Sequence, residues 1–358
     1  MDVVLMILYS IIVLGVLVVI HEGGHFLAAR AFHVRVTEFM VGLPGPSVGV
    51  WRKGTRFGLT AVPLGGYARV CGMESGEESP HLAQVVDMVF RRGELNMEDV
   101  ESELGLSEDD AYHALDELAE WGTIRGPMRS DKYNTYRTPS SQQAGIEGDY
   151  AEGQPRPVPG GDAKAFIDEE RAHQYRSLPF RKRIAILLAG PMVNLLFALV
   201  VFVIVYSVIG IDYVNQAGEA VHIHVDPLRS IVAGMSYIGT VTMAVLQLFN
   251  PATAAQTVSN SASVVGVAVL SKTAADQGLI SFCMFTAMIS VSLGIMNMLP
   301  IPPLDGGKFV VEVYQRIRRR WVSQRAVNAL SMAGMAAFTL LFVVMLNQDI
   351  QRFIFGNW

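Results

Sequence analysis

Residues 3–20 carry only aliphatic side chains, methionine, glycine, one tyrosine and one serine, and they run straight into His21-Glu22-Gly23-Gly24-His25. Phe26-Leu27-Ala28-Ala29 then resumes the apolar pattern. A helix of about 20 apolar residues is long enough to cross a bilayer. Ionisable side chains at that depth are costly and usually functional. The first segment therefore reads as a membrane span that carries a polar cluster at its C-terminal end.

Composition agrees. The chain of 358 residues is 51% hydrophobic and only 17% charged, too apolar for an ordinary soluble protein. Further stretches that can span lie at 184–211, 279–299 and 326–346, and 231–249 is a weaker one. Cys71 and Cys283 lie far apart and suggest no disulfide framework. The net charge of -5 comes largely from one acidic segment and says little about partners. Asp2 stands where a signal peptide would be basic and no cleavage signature follows, so the first span is expected to be retained.

Loop charges set the orientation, because Lys and Arg mark the cytoplasmic side. Arg30, Arg35, Arg52, Lys53 and Arg56 follow the first span, and Arg181, Lys182 and Arg183 precede the second. Arg316, Arg318, Arg319 and Arg320 follow the third, whereas 212–229 holds Asp212, Glu219 and Asp226 against one Arg. Both termini are then outside and the long 32–180 connection inside. Parity places 231–249 on the outer interface and gives about four spans. If it crosses, 258–270 must cross as well, giving six.

His21 and His25 share one helix face about a turn apart. Two neutral imidazoles so spaced can hold a zinc ion at about 2.0–2.1 Å. Glu22 beside them can take a proton from a water that zinc acidifies. Gly23 and Gly24 each cost a helix about 1 kcal/mol relative to Ala, so both are expected to serve close approach by a neighbouring helix or by substrate. A catalytic zinc commonly takes a third protein ligand and keeps one open position. Of the other histidines, His33, His81, His113 and His173 fall in the cytoplasmic connection, and His222 and His224 in the outer loop. Asp305 is the better third ligand, in Asn297-Met298-Leu299-Pro300-Ile301-Pro302-Pro303-Leu304-Asp305-Gly306-Gly307, at the cytoplasmic end of an apolar span. The prolines break the helix there. Exposed carbonyls at that depth are tolerated only beside protein or a polar cavity. Asn297, about two turns earlier, is placed to bind a substrate carbonyl or a developing oxyanion.

Each element also has a plainer reading. Asp305 alone is a helix cap or the start of a turn. Asn297 alone is an interhelical hydrogen bond of about 0.6 kcal/mol. His222 and His224 read as a solvated polar loop, or as a metal pair on one side of an outer strand. An inactive scaffold would keep the fold without the zinc, and a metal transporter would carry polar residues along several spans. The intact His21, Glu22, His25 and Asp305 set and the apolar spans favour a metalloprotease.

These residues resemble the site-2 protease family of intramembrane zinc metalloproteases, in particular its bacterial sigma-factor-regulating branch. Three blocks carry the resemblance: His21 to Phe26; Pro179-Phe180-Arg181-Lys182-Arg183-Ile184 running into Ala189-Gly190-Pro191-Met192-Val193-Asn194; and Leu293-Gly294-Ile295-Met296-Asn297 through Gly307. Residues 57–70, with Pro63-Leu64-Gly65-Gly66-Tyr67, look like the family's membrane re-entrant β-loop. The resemblance implies one Zn2+ per chain held by His21, His25 and Asp305, Glu22 as general base, and Asn297 as stabiliser of substrate or transition state. It implies a bacterial plasma-membrane enzyme with its active site near the cytoplasmic leaflet. Its substrates would be single-span membrane proteins, such as anti-sigma factors already trimmed outside, or remnant signal peptides. Glycine- and proline-punctuated β-like runs at 48–51 and 57–62, turning at 52–54, offer a strand edge that can pair with an unwound substrate. Phe57, Leu59, Ala61, Gly65, Gly66, Tyr67 and Asn297 are the expected substrate contacts.

Two departures from that branch stand out. Only 212–230 precedes the outer interfacial segment, too little for the PDZ domains the branch usually carries there. An insertion of about a hundred residues, 73–175, occupies the cytoplasmic connection. Its first part reads as a small acidic winged-helix-like module, with apolar stripes at Leu82, Val85, Val86, Val89, Phe90 and at Ala111, Ala114, Leu115, Leu118. Thr123-Ile124-Arg125 and Tyr133-Asn134-Thr135-Tyr136-Arg137 are candidate wing strands. Its second helix holds Glu108, Asp109, Asp110, Asp116, Glu117 and Glu120 with no Lys or Arg. It would repel phosphates, so residues 77–137 are expected to meet a cytoplasmic protein or to regulate the chain itself, not nucleic acid. Residues 138–161 are rich in Gly, Pro, Ser and Gln and are expected to be a flexible linker, with a short charged helix at 166–176.

The expected fold is thus a polytopic α-helical membrane protein in contact with membrane lipid. Residues 1–72 hold the first transmembrane helix, the zinc motif and the re-entrant β-loop, and 73–137 the acidic module. Residues 138–178 form the linker and charged helix, and 179–211 the second transmembrane helix. Residues 212–278 form the outer loop and interfacial helices, and 279–358 the last two transmembrane helices with the Asn297/Asp305 motif.

Overall fold

The computed structural model describes residues 1–358 except 1, 63–64, 74–76, 129–130, 132, 215–219, 260, 321, 354 and 356–358. Pro63, Leu64 and Glu219 therefore lie outside the described residues. Helix α1 (Asp2–Ala31) is followed by strands β1 (Val36–Val41), β2 (Ser47–Arg52), β3 (Thr55–Thr60) and β4 (Gly66–Val70). Then come α2 (Leu82–Arg92), β5 (Glu94–Asn96), α3 (Met97–Leu104), α4 (Glu108–Glu120), β6 (Thr135–Arg137), α5 (Ser141–Ala144) and α6 (Ala163–Ala172). Helix α7 (Phe180–Val203) precedes the hairpin β7 (Ile211–Val214) and β8 (Ala220–Ile223). The chain ends with α8 (Pro227–Gln247), α9 (Ala254–Ser259), α10 (Val264–Asp276), α11 (Leu279–Asn297), α12 (Asp305–Arg318) and α13 (Gln324–Phe353). Contacts divide it into two compact units, Met1–Gly24 with Leu187–Tyr314 and Arg325–Trp358, and His25–Ile186 with Gln315–Gln324.

In the first unit, α1, α7, α8, α11 and α13 are each long and apolar enough to cross a membrane. Among the described residues these candidates are one more than the four spans expected, α8 covering the weaker 231–249 stretch. Helix α8 gains its length at the N-terminus. The Asp226 carboxylate accepts from the N–H groups of Leu228 and Arg229 at 2.9 and 3.3 Å, and Pro227 takes the first helical position. The helix thereby starts four residues before the apolar run does.

Small residues set the packing, as is usual between apolar helices. A Cβ on Gly294 of α11 would lie 3.1 Å from both the Pro191 carbonyl oxygen and the Leu195 side chain of α7. Ala198, Phe202, Ala287 and Val291 are buried alongside. A Cβ on Gly24 of α1 would lie 2.6 Å from the Ala189 carbonyl oxygen and 3.0 Å from Gly190 Cα. Gly23 meets nothing within 4 Å. Of the two glycines, Gly24 is the one approached closely by a neighbouring helix. Asp349 on α13 is fully buried and accepts from the N–H groups of Ser263 and Gly266 at the start of α10, at 2.6 and 2.9 Å.

The second unit is built on a four-stranded sheet of order β2-β3-β1-β4, in which β3 runs parallel to β1 and antiparallel to β2. Leu59 lies opposite both Val48 and Val41, so β3 is internal and the edges are β2 and β4. Leu59 therefore does not offer the free edge expected of it. Ala61 lies just past the strand, where its N–H donates to the Pro46 carbonyl at 2.9 Å. Alternating residues sort to two faces. Phe39, Phe57, Val48, Val50 and Leu59 share one; Val48 is 84% and Leu59 64% exposed. Glu38, Arg56, Arg69, Tyr67 and Trp51 share the other. The Tyr67 hydroxyl donates to Glu38 at 3.3 Å, and the Arg125 guanidinium sits 5.1 Å over the Trp51 ring.

Helices α2, α3, α4 and α6 enclose one apolar core that includes Val86, Phe90, Val100, Leu115, Leu118 and Ile167. Asn96 opens α3 with a capping box to Asp99, Gly105 ends it in the left-handed region, and Ser107 caps α4. Strand β5 pairs with β6, and Arg125 bridges to Arg137. Residues 138–161 are packed here rather than forming a flexible linker. Thr138 N–H donates to the Gly93 carbonyl at 2.8 Å, Ser140 caps α5, and Val158 is buried in the core. Arg156 lies over both Phe90 and Tyr150, at 5.2 and 4.9 Å. Composition signals the lack of periodicity in this stretch, but its backbone groups still find fixed partners.

An ion pair between half-buried Arg35 and buried Glu170 joins this core to the sheet. Arg35 donates to both Glu170 oxygens at 2.5 and 2.7 Å, and Thr123 donates to the same carboxylate at 2.7 Å. Beside it Cys71 is fully buried, and loss of solvation pushes its thiol up to about 12, which makes it inert.

Two predictions follow from this packing. Arg35→Leu leaves Glu170 buried without its cation and should cost about 3–5 kcal/mol, read as an earlier thermal transition and faster proteolysis between residues 73 and 175; an unchanged transition would show the pair to be dispensable. Gly24→Ala should destabilise the detergent-solubilised protein by about 1–3 kcal/mol through overpacking. Gly23→Ala should be neutral or stabilise by up to about 1 kcal/mol, and equal melting shifts for the two would contradict the packing described.

Candidate metal centre

Helix α7 grips the His21–His25 turn of α1 with groups spaced about one turn apart, at Ile186, Gly190 and Asn194. The backbones can come that close because residue 24 has no side chain. Pro191, inside α7, cannot donate to the preceding turn and its ring crowds it. In that turn the Ile186 carbonyl accepts a hydrogen bond from His25 Nδ1–H at 2.8 Å. This bond puts the His25 proton on Nδ1 and makes Nε2 the nitrogen with which His25 would hold a metal.

His21 is held from two sides. Its Nε2 lies 3.0 Å from Asp305 Oδ2, and its Nδ1 lies 3.2 Å from the side-chain nitrogen of Asn194. Asn194 is fully buried, and its main-chain carbonyl accepts from the Ser290 hydroxyl of α11 at 2.9 Å. Asp305 is the first residue of α12, where the chain folds back tightly after α11. Gly306 and Gly307 lie directly against the backbone of Met298, Leu299, Ile301 and Pro302, so no side chain fits at either position. Lys308, one turn on, brings its ammonium to 3.6 Å from the other Asp305 oxygen.

One ligand atom from each of His21, His25 and Asp305 lies within 4.8 Å of the others, and all three residues are buried. Two imidazoles and a carboxylate are a donor set that suits zinc and leaves a fourth position open. The fixed tautomer of His25 and the buried side-chain oxygen of Asn194, which has no hydrogen-bond partner among the described residues, also fit a metal-loaded site. Glu22 stands beside His21 on α1, half-buried. Asn297, half-buried, ends α11 one loop before Asp305.

Of the β-loop residues, Phe57 packs with Phe39 against Phe26, the residue after His25, with ring centroids 5.5–5.8 Å apart. Tyr67 is turned to Glu38 on the polar face, Gly66 begins β4, and the Gly65 carbonyl accepts from Gly42 N–H at 2.8 Å. Reading of the sequence gave no role to two groups that hold the histidines. Asn194 carries the same signal as Asn297, an amide within an apolar span. The Ile186 carbonyl carries none, since every residue has one.

Residues 9–341 match the sequence profile of Peptidase family M50. A protein of Clostridium acetobutylicum, which carries a zinc-metalloprotease name, is 25% identical over 365 residues, covering 96% of this chain and 97% of its own. The zinc metalloprotease RasP of Oceanobacillus iheyensis is 23% identical over 440 residues, covering 96% of this chain and 98% of its own. A Campylobacter jejuni protein, again with a zinc-metalloprotease name, is 26% identical over 375 residues, covering 97% and 94%. With this match over nearly its whole length, the chain belongs to Peptidase family M50, the site-2 proteases, and is a multi-pass membrane zinc metalloendopeptidase of intramembrane proteolysis.

Proposed function

We propose that His21, His25 and Asp305 hold one catalytic zinc ion, that Glu22 is the general base and that Asn297 stabilises the substrate oxyanion. The convergence of three buried ligand atoms within 4.8 Å carries this reading. Bound there, zinc supplies Lewis acidity that activates water and polarises the scissile carbonyl. Glu22 takes the proton of the attacking water and returns it to the departing amide nitrogen. The Asn297 amide donates to the oxygen on which charge develops. Burial of the site strengthens each of these interactions, because little water screens them.

A transmembrane helix hides its amides in its own hydrogen bonds, so hydrolysis requires local unwinding. Strand β2, an edge of the sheet with Val48 and Val50 exposed on the apolar face, supports a reading in which substrate adds to the sheet there as a further strand. In that reading Phe57 and Leu59 support β2 from the next strand and Ala61 from just beyond it, while Gly66 and Tyr67, with Gly65 just before them, belong to the opposite edge. The substrates proposed are single-span proteins of a bacterial plasma membrane, such as trimmed anti-sigma factors or remnant signal peptides. Both termini are proposed to lie outside, with α8 on the outer interface and the site near the cytoplasmic leaflet.

The order α2, β5, α3, α4, β6 supports a winged-helix-like module in the insertion. Its acidic α4 favours a cytoplasmic protein partner over nucleic acid. Substrate screening would then lie with this module, since the outer segment is too short for a PDZ domain.

Purified protein with a model single-span substrate tests the chemistry. Glu22→Gln should lower cleavage at least about 10²–10⁴-fold with zinc content unchanged, and His25→Ala should lose the zinc; equal cleavage by Glu22→Gln and wild type would sink the mechanism. A photo-crosslinking residue at Val48, in the Glu22→Gln background, should capture the substrate, whereas one at Asp87 on α2 should not. Capture at Asp87 alone would remove β2 as the substrate edge.

A further inference from the structure

We infer that Asn194 is a positioning residue for the zinc site, whose side-chain carbonyl accepts the Nδ1–H of His21 when His21 Nε2 holds the metal. The inference rests on the reading of His21 as a ligand. Asn194 is fully buried in the apolar helix α7, and its main-chain carbonyl is pinned by Ser290. Its side-chain nitrogen faces His21 Nδ1 at 3.2 Å, while its Oδ1 is buried with no partner among the described residues.

The hydrogen bonds decide the argument. With the amide N–H donating to Nδ1, His21 carries its proton on Nε2 and gives it to Asp305 Oδ2, 3.0 Å away. Metal ligation through Nε2 requires that nitrogen to be bare, so in the neutral ring the proton moves to Nδ1. Two donors then face each other at 3.2 Å. A half-turn of the amide about its last side-chain bond replaces the donor with Oδ1, and the contact becomes Nδ1–H···O. The two orientations of an amide differ only in which hydrogen bonds they satisfy. His25 already has this arrangement, with the Ile186 carbonyl as acceptor. Both histidine ligands would thus be backed by a carbonyl, one from the main chain and one from a side chain. A neutral amide does this without adding a second carboxylate to an apolar span.

Full-length protein in detergent provides the test. Zinc dissociation constants would be measured by competition with a chromophoric chelator for wild type, Asn194→Leu, Asn194→Asp and His21→Ala. The leucine variant keeps the branched shape and removes the acceptor, and should bind zinc about 10–100-fold more weakly. The aspartate variant restores an acceptor and should bind close to wild type. Wild-type affinity in Asn194→Leu would overturn the inference. A second measurement is independent of how the variants fold. Histidine 15N resonances of wild-type protein, with His21 assigned by difference from His21→Ala, should report Nδ1 protonated in the zinc-loaded form; zinc on Nδ1 would overturn the inference. Unchanged zinc binding in His21→Ala would instead overturn the ligand reading on which it rests.

Discussion

Polar groups sunk among apolar helices have to be paired within the protein, and here that pairing is done across the contact of α1 with α7 at Gly24. An unpaired polar group in an apolar setting costs several kcal/mol. The His21–His25 turn would carry several such groups if α7 stood a side chain's width further away. The missing side chain at Gly24 lets the Ala189–Gly190 backbone close in. Ile186 and Asn194, one turn to either side, then reach His25 and His21. Ser290 of α11 holds Asn194, and the tight turn before α12 delivers Asp305 to His21. Each hydrogen bond is modest by itself. Together they fix the orientation of both rings and the tautomer of His25.

The parts legible in the sequence are those where a residue type is out of place. Histidines and a glutamate at the end of an apolar run, and an aspartate behind a proline-broken span, are such residues, and the two histidines and the aspartate stand within one cluster. Strands β2 and β3 were legible too, since glycine- and proline-punctuated β-like runs on either side of the 52–54 turn mark them. Strand order was not, because the parallel pairing of β1 with β3 leaves no local trace, and it moved Leu59 from an edge to the interior. Residues 138–161 have a linker's composition but are held by main-chain bonds and by Arg156, and composition cannot report either. The start of α8 turned on Asp226 and Pro227, a capping signal outside the apolar window.

The packed state of 138–161 bears on how the acidic module can act. Were it tethered by flexible chain, binding at α4 would change only the local concentration of the partner. Instead the segment after α4 is tied into the sheet through Thr123, Glu170 and Arg35, and Arg125 rests on Trp51 of β2, the strand proposed to meet substrate. The partner proposed for α4 would therefore be mechanically continuous with β2. Continuity alone transmits a displacement and does not make a switch, which needs a second arrangement of the same contacts. The Arg35–Glu170 pair is where such an arrangement would have to differ, because separating it leaves a carboxylate stranded in the core. Regulation through this module, as proposed, would therefore work by small shifts of an intact unit rather than by detachment of the module from the sheet.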